Sequence, residues 1–109
     1  MATTYKVLAQ SAPSATTNTD IYTVPSATMS VLSTIVVANR ATSAATYRIA
    51  VRPNGATLAN QHYLAYDVTV GASDSTTITL GITMDAADVL TVYASTANLS
   101  FNVFGSEIA

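Results

Sequence analysis

TMSVLSTIVVAN, Thr28 to Asn39, is the longest extended run in the chain, and its reading decides the fold. Its residues divide into two alternating sets: Met29, Val31, Ser33, Ile35 and Val37 against Ser30, Leu32, Thr34, Val36 and Ala38. A period of two, carried by β-branched Val, Ile and Thr, suits a pleated strand. Both sets are mostly apolar in the second half. That predicts a strand in the middle of a sheet or covered on both faces.

The same pattern continues on either side. TYKVLAQ (4–10) reads as a first strand with Tyr5 and Val7 on one face, and SAPSATTNT (11–19) as a loop broken by Pro13. IYTVP (21–25) is a short strand stopped by Pro25. After the turn RATSAA, the run TYRIAV (46–51) places Tyr47, Ile49 and Val51 inward and Arg48, Ala50 and Arg52 outward. Pro53-Asn54-Gly55 opens a loop, because Pro presets φ and Asn-Gly accepts positive φ. QHYLAYDVTV (61–70) is the next strand, followed by the turn GASDS. TTITLGIT (76–83) sets Thr76, Ile78 and Leu80 on one face, and MDAAD (84–88) is a tight loop. VLTVYAS (89–95) and NLSFNVFGSEI (98–108) complete the series. About eight strands at this spacing predict a single domain over 1–109. Its class is all-β, an antiparallel β-sandwich of jelly-roll or Greek-key type.

The segment NQHYLAYD (60–67) holds the only histidine, two tyrosines and an aspartate. Strand alternation puts His62, Leu64, Tyr66, Val68 and Val70 on one face, taken as the core face, and Gln61, Tyr63, Ala65, Asp67 and Thr69 on the other. His62 and Asp67 then lie on opposite sides of the sheet, which excludes a dyad needing about 2.6–3.2 Å. Pairing with TYRIAV places Ile49 opposite Leu64, Tyr47 beside Tyr66 and Val51 beside His62. On the other face Ala50 meets Tyr63, Arg48 meets Ala65 and Thr46 meets Asp67, with Arg48 diagonal to Asp67. His62 is read as a capped rim residue rather than a base. A slip of one residue reverses these faces.

Other chemistry is thin. One His and no Cys leave no zinc set. Asp85 and Asp88 lack the ligand density of a calcium loop and read as a polar turn. The four glycines are dispersed, so there is no phosphate cradle, and no G-x-S-x-G elbow is present. We expect no enzymatic activity, no catalytic residue, no cofactor and no metal.

Only 9% of the 109 residues are charged, against about a quarter in ordinary soluble domains. A surface of Thr, Ser, Ala and Asn is cheaply dehydrated and repels a neighbour weakly, which suits standing contact with other copies or a larger body. The formal net charge of −2 gives no footprint for nucleic acid or an anionic membrane. No apolar stretch approaches the ~20 residues of a membrane span. MATTYKVLAQ lacks a secretory pattern, so synthesis and folding in a cytoplasm are expected.

DIYTVPSATMSVLSTIVVANR, YRIAVRPNGA, NQHYLAYD and TANLSFNVFGSEI together resemble a family of short virion structural proteins of tailed bacteriophages, common in phages of cyanobacteria and other aquatic bacteria. The resemblance runs over nearly the whole chain. It implies a β-sandwich built into the particle, without enzymatic activity, located in the virion after assembly in the host cytoplasm. The implied partners are other copies, three being favoured, and the major capsid protein or other virion proteins. Capsid decoration (a cement role) leads; tail, neck or fibre-associated positions and a carbohydrate- or receptor-binding module are the alternatives. Loops 10–20 and 53–60 are the expected contacts, with Arg40, Arg48, Arg52 and Tyr63 as candidate anchors, since Arg and Tyr concentrate binding energy.

Overall fold

Charge-poor, Thr- and Val-rich segments have one good way to bury their apolar sides, which is to pair edge to edge and stack face to face. The computed structural model describes residues 2–109 and follows that route. Its strands are β1 Thr3–Ser11, β2 Thr19–Thr23, β3 Met29–Asn39, β4 Ala45–Arg52, β5 Tyr63–Val70, β6 Ser75–Ile78, β7 Ile82–Met84, β8 Val89–Ala94 and β9 Leu99–Ile108. Short 3-10 turns at Pro53–Gly55 and Asn60–His62 lie between β4 and β5. There is no α-helix among the described residues.

Sheet I has the order β1-β9-β3-β6, with β7 also on β3, and sheet II the order β2-β8-β4-β5. Every pairing is antiparallel. The chain behaves as one long ribbon doubled back at residues 53–62. β1 runs with β9, β2 with β8, β3 with β6 and β7, and β4 with β5. Rolled up so that successive pairs alternate between the sheets, this ribbon is a jelly roll, one of the two topologies expected from the sequence.

The core lies between the sheets. Leu32, Ile35 and Val37 of β3 and Leu99, Phe101 and Val103 of β9 face Tyr47 and Ile49 of β4 and Leu90 and Val92 of β8. Tyr47 and Phe101 meet edge to face across the gap, centroids 6.4 Å apart. β3 sits mid-sheet as expected, flanked by β9 and by β6 and β7.

Three strand readings need correction, and irregular strand geometry is the reason each time. In β3 the two alternating sets do not hold along the whole strand. The register against β9 shifts between Leu32 and Thr34, so Ser30 and Leu32 are buried before the shift and Ile35, Val37 and Asn39 after it. One extra residue in a bulge reverses the side-chain phase. In β5, Leu64, Tyr66 and Val68 are exposed at 47%, 56% and 40%, not in the core. Only His62 and Val70 of the expected set are buried. Two register shifts separate the pairs Tyr47–Val68, Ile49–Ala65 and Ala50–Tyr63, and Asp67 takes a left-handed φ of 52°. Ile49 therefore faces Ala65 rather than Leu64, and Thr46 faces Thr69 rather than Asp67, while Ala50 meets Tyr63 as expected. Finally, TTITLGIT is two strands. Gly81 has a φ of 63°, and Leu80 turns into solvent, 60% exposed, away from Thr76 and Ile78.

These irregularities line up across sheet I. β1 shifts register between Val7 and Ala9, β3 between Leu32 and Thr34, and residues 79–81 interrupt the strand on the far side. Gly105 of β9 sits on the same line. A Cβ there would lie 2.0 Å from the Val31 carbonyl oxygen, so only glycine permits the approach. The Ser33 hydroxyl donates to the Phe104 carbonyl at 3.1 Å, fixing the bulge.

Candidate interaction surfaces

Arg48 lies on the outer face of sheet II, paired across the ladder with Tyr93 of β8. Its guanidinium is held between two rings, 4.2 Å from the Tyr66 centroid and 4.2 Å from the Tyr93 centroid. Nε donates to Asp67 Oδ1 at 2.7 Å and an Nη to Oδ2 at 3.3 Å, a bidentate fork. The Asp67 carboxylate holds the guanidinium's proton affinity above its usual value. Tyr63 closes the group edge-on to Tyr66, centroids 4.9 Å apart. The contact of Arg48 with Asp67 is the one expected from the sequence. Tyr66 was expected inside and instead forms half of the clamp, because the β5 bulge carries it to the outer face.

Arg52, on the same face, spends its donors within the chain. It bonds Thr91 Oγ1 at 3.0 Å, the Gly55 and Ala56 carbonyls at 3.2 and 2.9 Å, and Asp20 Oδ2 at 2.9 Å. Thr91 also donates to Asp20 Oδ1 at 2.8 Å. Arg52 thus ties β4 to β8, to β2 and to the loop that follows it. Arg40 stands apart, where loop 40–44 meets loop 95–98, with Nε on Ser100 Oγ at 2.9 Å and an Nη on the Ala97 carbonyl at 3.0 Å. Of the four anchor candidates, the fold brings Arg48, Arg52 and Tyr63 onto one face and leaves Arg40 elsewhere. Loops 10–20 and 53–60 lie at opposite ends of the sandwich: Thr16 bonds Ala94 at one end, and Asn54 bonds Asp88 at the other.

His62 is buried in the second 3-10 turn. Its Nδ1 accepts the Ala59 N–H at 3.0 Å, and the His62 backbone N–H donates to the Ala59 carbonyl at 3.1 Å. The imidazole closes a turn, as the rim reading proposed, and Asp67 is engaged with Arg48 instead. Asp85 and Asp88 also serve a turn: Asp88 accepts the N–H groups of Asp85 and Asn54 at 2.9 and 2.8 Å. Among the described residues no three His, Cys, Asp or Glu side chains gather as a metal would require.

Two features escaped the sequence reading. One is a polar clamp between the sheets. The Tyr22 hydroxyl of β2 lies 2.6 Å from Ser30 Oγ and donates to Glu107 Oε2 at 2.5 Å, and Lys6 Nζ meets Glu107 Oε1 at 2.9 Å. Burial first, and then the bond to Glu107, push the Tyr22 hydroxyl up to about 12. Lys6, followed by Tyr22, holds the Glu107 carboxyl below its usual range. Nothing local marks these residues as partners, since they come from both ends of the chain. The other is an apolar strip on the outer face of sheet I. Tyr5 is 83% exposed, and Val7, Met29 and Phe104 accompany it. Tyr5, Val7, Val31 and Phe104 line a shallow trough of about 630 Å³ there. The shared face of Tyr5 and Val7 was the visible sign of it.

Compared with known proteins, the chain matches no family model and no curated sequence. What the fold and its surfaces define is a class: a charge-poor jelly-roll sandwich. One outer face carries an arginine–tyrosine cluster and the other an apolar strip.

Proposed function

We propose that this chain is a non-enzymatic structural protein of a phage virion that decorates and cements the capsid shell. The observation that carries the reading is the apolar strip of Tyr5, Val7, Met29 and Phe104 on a chain with 9% charged residues. Contiguous apolar surface on a soluble domain marks a contact site, and a weakly charged rim is cheap to dehydrate against a neighbour. The ionisable groups support the same view, because Arg48, Arg52, Asp67, Asp88 and Glu107 are occupied in holding the sandwich together. The likeness of its sequence phrases to phage virion proteins points to the partner, a major capsid protein or another particle component. A tail, neck or fibre-associated position would use the same strip.

The test is reconstitution. Purified chain is added to capsids lacking it and its position read from an electron-microscopy map. Ordered density on the shell is expected, with occupancy falling in a Tyr5→Asp, Phe104→Asp variant. Absence of the chain from every intact particle overturns the reading. A second reading, a carbohydrate-binding module, rests on the exposed Tyr66 ring beside Tyr63 and Asp67. Reproducible glycan-array binding lost on Tyr66→Ala would favour it over the scaffold.

A further inference from the structure

A jelly roll leaves four sheet edges, and an unpaired edge is a template for another strand unless something blocks it. Three of the four are blocked. β5 carries two register shifts and a left-handed Asp67. β6 and β7 are pieces of four and three residues, separated at 79–81. β2 has five residues and a shift between Asp20 and Tyr22. β1 is different. It has nine residues, and Thr3 to Val7 run in unbroken register with β9. All five are exposed, and the segment contains no proline. Its single charge, Lys6, is neutralised by Glu107 at 2.9 Å while its side chain stays 46% exposed, so this one device stands against a run of five exposed residues.

We infer that the Thr3–Val7 edge pairs with the same edge of a second copy. The two strands run antiparallel about a twofold axis at Tyr5, joining two copies of sheet I into one continuous sheet. The segment is self-complementary in this register. Thr3 faces the partner's Val7, Thr4 faces the partner's Lys6, and the two Tyr5 rings meet on the apolar outer face, where aromatic cross-strand pairs stabilise a ladder. No like charges fall directly opposite one another. Each Lys6 keeps its own Glu107, and a net charge of −2 raises little long-range barrier between copies. A foreign strand would satisfy the same backbone groups but would not supply the matched tyrosine. The contact is isologous and gives a dimer; a threefold arrangement would need another surface. A five-residue edge belongs to the small, transient class of interfaces. The inference concerns the free chain and stands apart from the virion reading.

The chain has no cysteine, which makes disulfide trapping clean. Tyr5→Cys and, as control, Leu80→Cys on the opposite edge are oxidised mildly without any particle present. Both positions are solvent-facing, at 83% and 60%, and circular dichroism checks that both variants fold. Tyr5→Cys is expected to cross-link into dimers about ten-fold faster than the control, because pairing raises the local thiol concentration. Sedimentation of the unmodified chain at rising concentration should show a monomer–dimer equilibrium that Tyr5→Lys abolishes. Amide exchange at residues 3–7 should slow as concentration rises. Equal cross-linking from both positions, a chain monomeric throughout, or an oligomer indifferent to Tyr5→Lys would each overturn the inference. Failure here leaves the capsid reading standing, and failure on capsids leaves this one standing.

Discussion

Gly105 is irreplaceable for a reason of distance rather than of dihedral freedom. Its missing Cβ would sit 2.0 Å from the Val31 carbonyl oxygen, a backbone atom that cannot swing away. Gly105→Ala must push β9 and β3 apart at the core's edge. The expected cost is about 3 kcal/mol, the upper part of the range for overpacking, read as a lower denaturant midpoint with an unchanged slope. Asn39 is the counterpart at the other end of the sandwich. It is buried, and its amide donates to the carbonyls of Ser43, Val70 and Gly71, tying β3 to the end of β5. The Tyr22–Glu107 clamp makes a pH prediction. Glu107 titrates lower in the folded chain, so its stabilisation is complete above the ordinary value of 4.5 and lost as pH falls through the folded one. Tyr22 titrates higher, so its share is complete below 10.0 and lost as pH rises toward about 12. Thermal midpoints across pH should show both limbs. Glu107→Gln should flatten the acid limb and Tyr22→Phe the alkaline one.

β5 is the element whose reading changed most. Strict alternation placed Leu64 and Tyr66 inside, yet the bulges turn them out. Leu64→Asp is therefore expected to leave stability within about 0.5 kcal/mol, whereas Leu32→Ala, at a fully buried site, should cost about 2–5 kcal/mol. Comparable losses from the two would contradict the bulged register. No glycine or proline marks the bulge, since aspartate tolerates a left-handed φ, so the strand carries no local sign of it. In β3 the apolar run on both sets hid the phase change, and the pairing with β9 shows where the bulge falls. By contrast, TYRIAV keeps its register against β8, although Ala50, read as outward, is buried at 1% exposure, and the Arg48–Asp67 contact survived the register error. A diagonal reach of long side chains tolerates a displacement that direct pairing does not. Arg48 and Arg52 brace this face, so Arg48→Ala with Arg52→Ala should loosen the Tyr63–Tyr66 platform. Undiminished particle occupancy in that variant would remove the platform from the contact surface.

At the scale of the molecule, the first and last strands are neighbours. Ala2 and Ala109 exchange two backbone hydrogen bonds, of 2.6 and 2.9 Å. A circular permutant joined there by a short glycine-containing turn and opened within loop 53–60 should fold with nearly the parent stability. Loss of cooperative unfolding in the permutant would show that the doubled ribbon depends on its hairpin at 53–62. Pairing β1 with β9 closes almost the entire chain, so folding belongs to the slow regime of non-local β topologies. The same arrangement places a long unbroken edge beside an apolar strip, so the surfaces proposed for self-pairing and for shell contact meet on sheet I and share Tyr5.

By itself the sequence determined the strand content, the sandwich class and the outward Arg48. These follow from side-chain period and turn chemistry, which are local. The tertiary structure alone decided the jelly-roll order, the bulges and the faces they reversed, the clamp joining Lys6, Tyr22, Ser30 and Glu107, and the difference between a blocked edge and an open one. Each of those depends on which strand lies alongside, and strands adjacent in space here are mostly distant in the chain.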